Sequence, residues 1–432
     1  MDLTVKVVVG TQFGDEGKGK IVDLLASSFD VIARFNGGAN AGHTVVAEGQ
    51  RFAFRLLPSG AVRQKQTAIC NGVVVDAEQL LGEIADIEER TGREVRLWLS
   101  DRAHVVMPYH KILDEAEKSL VGKLSSGSTG RGIGPCYGDK VTRTGIRICD
   151  LLDEESLRAK LDVYYPLREK LLGAYGLKLG LSKEELVKWC LEKGTMLKRY
   201  VADTSLLLNR AIDEGKNVLL EGAQGTHLDI DHGIYPYGTS SNTIAGGACT
   251  GTGISPTRID QVVGIVKAYT SRVGEGPFPT ELDEPMASRI REKGGEYGTV
   301  TRRPRRCGWL DLVMVRYALR VNGISSLAMT KLDVLGGLRE VKVAVAYEHD
   351  GEEITEFPAN MRVLSACRPV YETLPGWPDL PAAVWKEVAG RGYEELPMAL
   401  REYIAYVQRS LRTNVDIISL GQDRDATIVK GS

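Results

Sequence analysis

The chain begins with an apolar run, a glycine-rich loop and an amphipathic segment, and this order strongly restricts the folds open to it. The run VKVVV (5–9) has the composition of a buried strand. The loop after it leads into residues 19–29, whose apolar side chains recur at the spacing of one helix face. Strand-like runs at 31–35 and 95–100 alternate with further helical patterns. Such alternation predicts an α/β fold with a mainly parallel central sheet and helices on both faces.

Long helical segments dominate between about residues 105 and 215, and strand-like runs return after them. These runs lie at 217–222, 261–269, 325–333, 341–347 and 415–420. We expect a single large α/β domain over 1–432, with 105–215 as a mostly helical insertion within it. Because ligands bind at the carboxyl ends of parallel strands, the loops that follow the strands are expected to converge on one site. These loops begin after residues 9, 35, 222, 270, 333 and 420.

Two helix starts carry capping signals. Asp76 precedes one helical pattern, and Gln79 stands three residues later, where its side chain can reach back to the cap. Ser182 and Glu185 have the same spacing before a second helix. Both pairs predict capping boxes, in which each side chain satisfies a main-chain N–H of the first turn.

The first loop, GTQFGDEGKGK, suits phosphate without matching the Walker A consensus. Gly19 stands where that consensus has the Ser or Thr that ligates magnesium. Glycine N–H groups, the following helix N-terminus and the side chains of Lys18 and Lys20 all favour an anion. Asp15 can replace the missing hydroxyl as a Mg²⁺ ligand, because Mg²⁺ prefers carboxylate oxygen. The alternative is an ordinary glycine-rich turn that caps a helix.

Composition and charge exclude several classes of protein. The 55 basic and 57 acidic residues give a net charge of -2, without the basic excess of a nucleic-acid-binding protein. No apolar run approaches the roughly 18 residues of a membrane span. Seven cysteines without a C-x-x-C pair favour free thiols, and the sequence begins without the apolar segment of a signal peptide. We expect a cytoplasmic protein that binds neither nucleic acid nor membrane.

Several segments, taken together and in order, resemble the signatures of the adenylosuccinate synthetase family. They are GTQFGDEGKGKIVD (10–23), NGGANAGHT (36–44), TGRGIGP (129–135), EGAQGTHLDIDHGIYPYGTSSNT (221–243), RRCGWLD (305–311) and TKLDVL (330–335). The resemblance implies a P-loop-NTPase-like α/β fold and a GTP-dependent carbon–nitrogen ligase of purine biosynthesis. Its reaction joins L-aspartate to inosine monophosphate (IMP) through 6-phosphoryl-IMP and gives adenylosuccinate, GDP and phosphate. The resemblance also implies one Mg²⁺ per subunit and a homodimer.

The same resemblance implies specific roles for a few residues. Asp15 is the general base that takes the proton from N1 of hypoxanthine, and it is also a metal ligand. His43 is a proton donor near O6 and the γ-phosphate, and Gln224 meets the purine edge. The carbonyl of Gly42 is the second magnesium ligand, and Arg143 reaches the active site of the neighbouring subunit.

The substrate-binding residues implied by the resemblance fall into three groups. The GTP-binding group is Gly14, Asp15, Glu16, Gly17, Lys18, Gly19, Lys20, Gly42, His43, Thr44, Arg305, Lys331, Leu332, Asp333, Ser419, Leu420 and Gly421. The IMP-binding group is Asp15, Glu16, Gly17, Lys18, Asn40, Ala41, Gly42, His43, Thr129, Arg143, Gln224, Thr239 and Arg303. The aspartate-binding group is Thr299, Val300, Thr301, Arg302, Arg303, Pro304 and Arg305.

The segment TKLD has a chemical rationale of its own. A carboxylate at Asp333 can accept hydrogen bonds from guanine N1–H and the N2 amino group together, which adenine cannot supply, and the Lys331 stem can pack on the base face. Three residues depart from the family pattern. Val300 and Arg302 replace a threonine and a glycine, and Leu420 leaves only main-chain atoms for guanine contacts at its position.

Two motifs allow other functions. RRPRRC (302–307) has the appearance of a nucleic-acid patch, but arginine forks also bind carboxylate and phosphate in two-point fashion. HLDIDH (227–232) has the residue types of a zinc site, which would suit a metal hydrolase. A regulatory GTPase-like switch would use the first loop and TKLD without needing Gln224, Arg143 or Arg303.

Overall fold

A ten-stranded, mainly parallel sheet organises the computed structural model, which describes residues 4–47, 50–120, 129–298 and 303–430. The strands are β1 (Val5–Gly10), β2 (Val31–Arg34), β3 (His43–Ala47), β4 (Gln50–Phe54), β5 (Gln66–Ile69), β6 (Val74–Val75), β7 (Leu97–Ser100), β8 (His104–Val105), β9 (Val201–Ala202), β10 (Val218–Glu221), β11 (Gln261–Lys267), β12 (Tyr269–Arg272), β13 (Arg306–Asp311), β14 (Ser326–Thr330), β15 (Glu340–His349), β16 (Glu352–Ile354), β17 (Arg368–Pro375), β18 (Val415–Ser419) and β19 (Thr427–Val429). The sheet order is β19-β18-β14-β11-β1-β10-β2-β5-β7-β9, and the edge pair β18–β19 is antiparallel.

Helices connect these strands and cover the sheet. They are α1 (Lys18–Ala26), α2 (Ala77–Thr91), α3 (Pro108–Leu120), α4 (Ile133–Thr142), α5 (Glu154–Ala174), α6 (Lys183–Leu197), α7 (Thr204–Asp213), α8 (Ala245–Thr252), α9 (Met286–Gly294), α10 (Leu312–Asn322), α11 (Met361–Ala366), α12 (Ala382–Arg391) and α13 (Met398–Leu411). Successive side chains of β1 point to opposite faces. Val7 packs with α7 and α8 on one face, and Val8 packs with α1 on the other. The predicted fold class is confirmed.

One predicted strand lies outside the central sheet. The run at 341–347 is part of β15, which pairs parallel with β13 and antiparallel with β16 and β17 in a second, mixed sheet. The run at 261–269 is also divided, because β11 ends at Lys267 and β12 turns into this second sheet. The second sheet therefore packs beside the carboxyl ends of the central strands.

The helices α3 to α7 occupy most of the region between β8 and β10. Leu157 and Leu172 of α5 and Leu186 of α6 are buried in the same cluster as Leu99 of β7. This shared core supports a single domain that contains the helices as an insertion. The predicted bounds of the domain and of the insertion stay a prediction. Within the described residues, no helix is long and apolar enough to cross a bilayer.

Of the two predicted capping boxes, one is confirmed. Ser182 accepts from the N–H of Glu185, whose side chain accepts from the N–H of Ser182. The box at α2 was wrong in one half: Asp76 accepts from the N–H of Gln79 at 3.3 Å, but the Gln79 side chain donates to Glu83 at 3.0 Å instead of reaching back. Glu83 is buried and also accepts from the N–H groups of Arg55, Leu56 and Leu57, so Gln79 completes the hydrogen bonds of this carboxylate within the same helix instead of closing the box.

Candidate active site

The carboxyl ends of the central strands meet at one cavity of about 770 Å³. Loops after β1, β2, β10, β12, β14 and β18 supply its wall, which confirms the expected convergence. The predicted site residues on that wall are Gly14, Asp15, Gly17, Lys18, Gly19, Lys20, Asn40, Ala41, Gly42, His43, Thr44, Thr129, Gln224, Thr239, Arg303, Arg305, Lys331, Ser419 and Gly421. Thr299, Val300, Thr301 and Arg302 lie outside the described residues.

The two acids of the first loop have different surroundings. Glu16 is fully buried, and its Oε1 accepts from the N–H groups of Gln12 and Gly14, both at 2.9 Å. Its Oε2 accepts from Lys18 Nζ at 2.7 Å. Gly14 has a φ of 90°, and a Cβ there would lie 2.8 Å from Gln224 Cα. Glu16 therefore braces the tight loop from beneath, and its side chain is directed away from the cavity wall.

Asp15 lies on the cavity wall with one oxygen held and the other free. Its Oδ2 accepts a hydrogen bond from the Ser271 hydroxyl and lies 3.1 Å from Lys267 Nζ and 3.4 Å from Arg305 Nε. Its Oδ1 is buried without a hydrogen-bond partner among the described residues. Because buried polar atoms are normally paired, Oδ1 has the character of a ligand-binding atom.

A second buried acid, Glu296, lies behind Asp15. Glu296 Oε1 lies 3.0 Å from Lys267 Nζ, and its Oε2 lies 2.6 Å from Arg305 Nη1. Burial raises the pKa of Glu296, but the charges of Lys267 and Arg305 outweigh burial and hold this pKa well below its usual value. Sequence analysis missed Glu296 and Lys267. The one signal for Lys267 is a lysine at the end of the otherwise apolar run QVVGIVKAY.

His43 begins β3 and faces the same cavity. Its Nε2 lies 3.8 Å from Glu221 Oε1 and has no hydrogen-bond partner within the described chain. Burial lowers the pKa of His43, and although Glu221 opposes this, the charges of Arg34 and Lys18 lower it further. The pKa of His43 therefore lies below that of an ordinary histidine, which favours the neutral imidazole over the charged form.

Amide side chains form the wall near Asp15. Gln224 has a φ of 60°, and both polar atoms of its side chain are buried without a partner from the described ranges. Asn40 Nδ2 donates to Thr239 Oγ1 at 3.1 Å, so two residues of the predicted IMP group are in contact. An amide with a free donor and a free acceptor can bind the edge of a purine ring.

The loops after β14 and β18 form another part of the site. Asp333 Oδ1 is buried and unpaired among the residues that the structure describes. Burial raises the pKa of Asp333 above its usual value, although the charges of Lys331 and Lys20 oppose this shift. Lys20 Nζ donates to Ser419 Oγ and the Gly421 carbonyl, both at 2.8 Å. Lys20 thus ties α1 to the last loop and also lines the cavity, and its contact with phosphate stays a prediction.

Two leucines of the predicted GTP group are core residues. Leu332 and Leu420 are fully buried in the cluster beneath α13. The N–H of Leu420 donates to the Ala426 carbonyl at 2.9 Å, so this donor is already used. A main-chain contact of Leu420 with a base would therefore be made by its carbonyl and stays a prediction, while Ser419 and Gly421 line the cavity.

Arg143 lies apart from the cavity wall. It is exposed at the C-terminal end of α4 with a φ of 66°. The Tyr164 hydroxyl of α5 donates to its carbonyl at 3.4 Å. Its predicted contact with nucleotide would therefore involve the active site of another subunit.

The segment HLDIDH is a hydrogen-bonded loop. The Asp229 carboxylate accepts from the N–H groups of Asp231, His232, Thr243 and Ile244. His227 contacts the Met314 carbonyl through Nε2 at 3.0 Å. Within the described ranges, no three His, Cys, Asp or Glu side chains are grouped to hold a metal ion. The contacts support a structural role for this loop.

We expect His227 to make stability depend on pH. Burial lowers its pKa to about 4, whereas an unfolded histidine titrates near 6.5. Stability is therefore complete above about pH 6.5 and falls by up to about 3 kcal/mol as the pH falls towards 4, because the unfolded chain gains the proton first. Urea unfolding at pH 7 and pH 5 measures this loss.

His227→Gln is the informative variant, because its amide can still donate to the Met314 carbonyl but does not titrate. We expect a smaller loss of stability between the two pH values than in the parent chain. An equal pH dependence in His227→Gln and the parent would contradict the prediction.

Comparison with known proteins agrees with this geometry. The adenylosuccinate synthetase family model matches residues 7–428. The adenylosuccinate synthetase of Acetivibrio thermocellus is 49% identical over 432 residues, covering 99% of this chain and 100% of the relative. That of Caldicellulosiruptor bescii is 50% identical over 427 residues, covering 99% of each. The solved structure of fully ligated adenylosuccinate synthetase from Plasmodium falciparum matches with a TM-score of 0.90 at 37% identity, over 99% of this chain and 100% of that one. The chain belongs to the adenylosuccinate synthetase family.

Proposed function

We propose that this chain catalyses the GTP-dependent ligation of L-aspartate to IMP, which gives adenylosuccinate, GDP and phosphate. Family membership over nearly the whole chain supports the overall reaction. The observation that carries the chemistry is the free Oδ1 of Asp15, on the same cavity wall as the unpaired amide of Gln224. A base and a group that orients a purine edge are what the reaction requires of the protein.

In the first step, Asp15 Oδ1 takes the proton from N1 of the hypoxanthine ring. The ring electrons then make O6 nucleophilic, and O6 bonds to the γ-phosphorus of GTP as the bond from that phosphorus to the β,γ-bridging oxygen breaks. The products are 6-phosphoryl-IMP and GDP. Gln224 orients the ring, and the neutral imidazole of His43 offers a hydrogen bond to the oxygens that gain charge.

In the second step, the amino group of aspartate attacks C6 and phosphate leaves with O6. The amine attacks in its neutral form, after its ammonium proton has passed to solvent, and the further proton released as the carbon–nitrogen bond forms passes to the leaving phosphate. Arg303 and Arg305 lie on the cavity wall; because Arg305 already contacts Glu296 and Asp15, the two-point contact of a planar guanidinium with an aspartate carboxylate falls to Arg303. Thus the arginine-rich segment serves substrate binding.

The cavity also fits one Mg²⁺. The Asp15 carboxylate and the Gly42 carbonyl, both on the wall, are oxygen groups of the kind that Mg²⁺ prefers and would hold the ion beside the phosphates. When bound, the ion neutralises charge on the phosphates. Lys18, held by Glu16, adds a fixed positive charge at the same loop.

A single assay tests the reaction. Purified protein with GTP, Mg²⁺, IMP and aspartate should form adenylosuccinate, measured by the absorbance of the purine product, and omission of any substrate should stop it. A GTPase-like switch would instead release phosphate slowly without IMP or aspartate. A zinc hydrolase would not consume GTP. Either result would overturn the proposal.

A homodimer is part of the proposal, and the surface beside Arg143 supports it. Val163, Leu167 and Leu171 recur every fourth residue on α5, and we call them the α5 stripe. They are 59%, 50% and 38% exposed. Val141 of α4, two residues before Arg143, is 80% exposed. An apolar stripe beside the arginine that should enter the neighbouring site suits a second copy of this chain.

The seven unpaired cysteines support a cytoplasmic location.

Leu167→Glu is expected to separate the subunits, because it places a charge in the middle of the α5 stripe. Sedimentation should show a monomer at micromolar concentration, and turnover should fall at least tenfold because Arg143 no longer completes the neighbouring site. Met398→Glu, on α13 at 69% exposure, is the matched control and should leave both properties unchanged. A fully active Leu167→Glu monomer would refute the shared site.

A further inference from the structure

Asp15 and three charged side chains beside it form a group in which acids and bases alternate. Lys267 lies 3.1 Å from Asp15 Oδ2 and 3.0 Å from Glu296 Oε1. Arg305 lies 3.4 Å from Asp15 Oδ2 and 2.6 Å from Glu296 Oε2. Each cation therefore bridges both carboxylates. We call Lys267, Glu296 and Arg305 the Asp15 clamp.

Neutral groups complete the clamp. The Ser271 hydroxyl accepts from Lys267 and lies within hydrogen-bond distance of Asp15 Oδ2 and of Glu296 Oε2. The Tyr269 hydroxyl donates to Glu296 Oε1 at 2.5 Å. Strands β11 and β12 supply Lys267, Tyr269 and Ser271, whereas Glu296 and Arg305 lie between α9 and β13.

Lys267 and Glu296 are both fully buried. Packed apolar residues often stabilise an interior as well as a buried ion pair does, so stability alone is a weak reason for so many buried charges. Every described contact of the clamp with Asp15 is made to Oδ2 and leaves Oδ1 unpaired. The clamp therefore makes the two Asp15 oxygens different. If the carboxylate rotated freely, Oδ1 and Oδ2 would exchange places.

We propose that Lys267 and Glu296 are positioning residues that, together with Arg305, fix Asp15 so that Oδ1 alone faces the nucleobase. This inference rests on the proposed function, in which Asp15 Oδ1 is the base. Its consequence is specific: without the clamp, the substrates still bind, but Oδ1 is aligned with N1–H for a smaller fraction of the time. Rates of proton removal and phosphoryl transfer then fall, because such transfer requires a closely aligned geometry.

The test isolates the first step of the reaction. GTP labelled with ¹⁸O at its β,γ-bridging position, incubated with Mg²⁺ and IMP but without aspartate, scrambles the label only if phosphoryl transfer is reversible on the enzyme. We expect Glu296→Gln and Lys267→Met each to slow this exchange at least tenfold, while the KM values for GTP and IMP stay within about twofold. The double variant should lose less than the product of the two single losses, because it leaves no lone buried charge.

Two further variants keep the test decisive. Ser271→Ala removes a bridging hydroxyl without changing charge, so it should slow exchange even if the charge variants fold poorly. Asp150→Asn breaks a comparable pair outside the cavity wall, in which Lys160 Nζ lies 2.7 Å from Asp150, and should leave exchange unchanged. Parental exchange rates in folded Glu296→Gln and Lys267→Met, or in Ser271→Ala if those do not fold, would overturn the inference. Raised KM values with unchanged exchange would overturn it equally. If the parent chain itself formed no adenylosuccinate, the proposed function would fail. If the parent turned over and the variants kept its exchange rate, only the clamp inference would fail.

Discussion

Asp15→Asn is expected to lower turnover by about 10³-fold while GTP and IMP still bind. General-base catalysis of this kind contributes about 10²–10⁴-fold, and an amide cannot take the N1 proton. The substitution also removes the charge that Lys267 and Arg305 approach at 3.1 and 3.4 Å. Steady-state kinetics measure turnover, and calorimetric titration with each nucleotide measures binding.

Asp23→Asn is the matched control for this variant. Asp23 lies on α1 and pairs with Arg63, outside the cavity wall. The control should lose some stability and keep turnover within a few-fold of the parent. Nearly full activity in Asp15→Asn would show that another group removes the proton, and loss of nucleotide binding would show that Asp15 acts through the loop's structure.

The general position of the site could be predicted from sequence, and the reason is geometric. Parallel strands end at one edge of a sheet, so the loops after β1, β2, β10, β14 and β18 had to meet there once the strands were recognised. Asp15 and Gln224 lie in such loops and reach the cavity. Predictions that depended only on where the parallel strands end were therefore confirmed.

Predictions that depended on side-chain direction were less successful. Glu16 and Asp15 are adjacent in sequence, yet the turn at Gly14 sends one beneath the loop and the other to the cavity. Lys20 lines the cavity, as expected of a phosphate-binding residue, but it also donates to Ser419, 399 residues away in the chain, which the sequence did not indicate. Gln79 likewise turns to buried Glu83. Gln79 and Glu16 take partners within four residues, whereas Lys20 takes a distant one, so sequence spacing alone did not show which of several polar partners each side chain would meet.

Asp333→Asn is expected to weaken the use of GTP by roughly 10²-fold or more. Guanine N1–H and its N2 amino group would both donate to the carboxylate, and hydrogen bonds to a charged group contribute about 1.5–3 kcal/mol each. The unpaired Oδ1 of Asp333 is the acceptor that such a base requires. The ratio of kcat/KM for GTP to that for ATP measures the effect, and this ratio should fall mainly through a higher KM for GTP.

Xanthosine triphosphate sharpens the test of Asp333. Xanthine presents the N1–H donor beside an O2 acceptor, and the amide of Asn offers the complementary oxygen and NH₂ group. Asp333→Asn should therefore use this nucleotide better than the parent does, a gain that general damage to the loop cannot produce. Asp379→Asn is the control, since Asp379 pairs with Lys293 near the same loop at 56% side-chain exposure. If Asp333→Asn kept the parental preference among the three nucleotides, guanine would have to be selected by Ser419 and Gly421 instead.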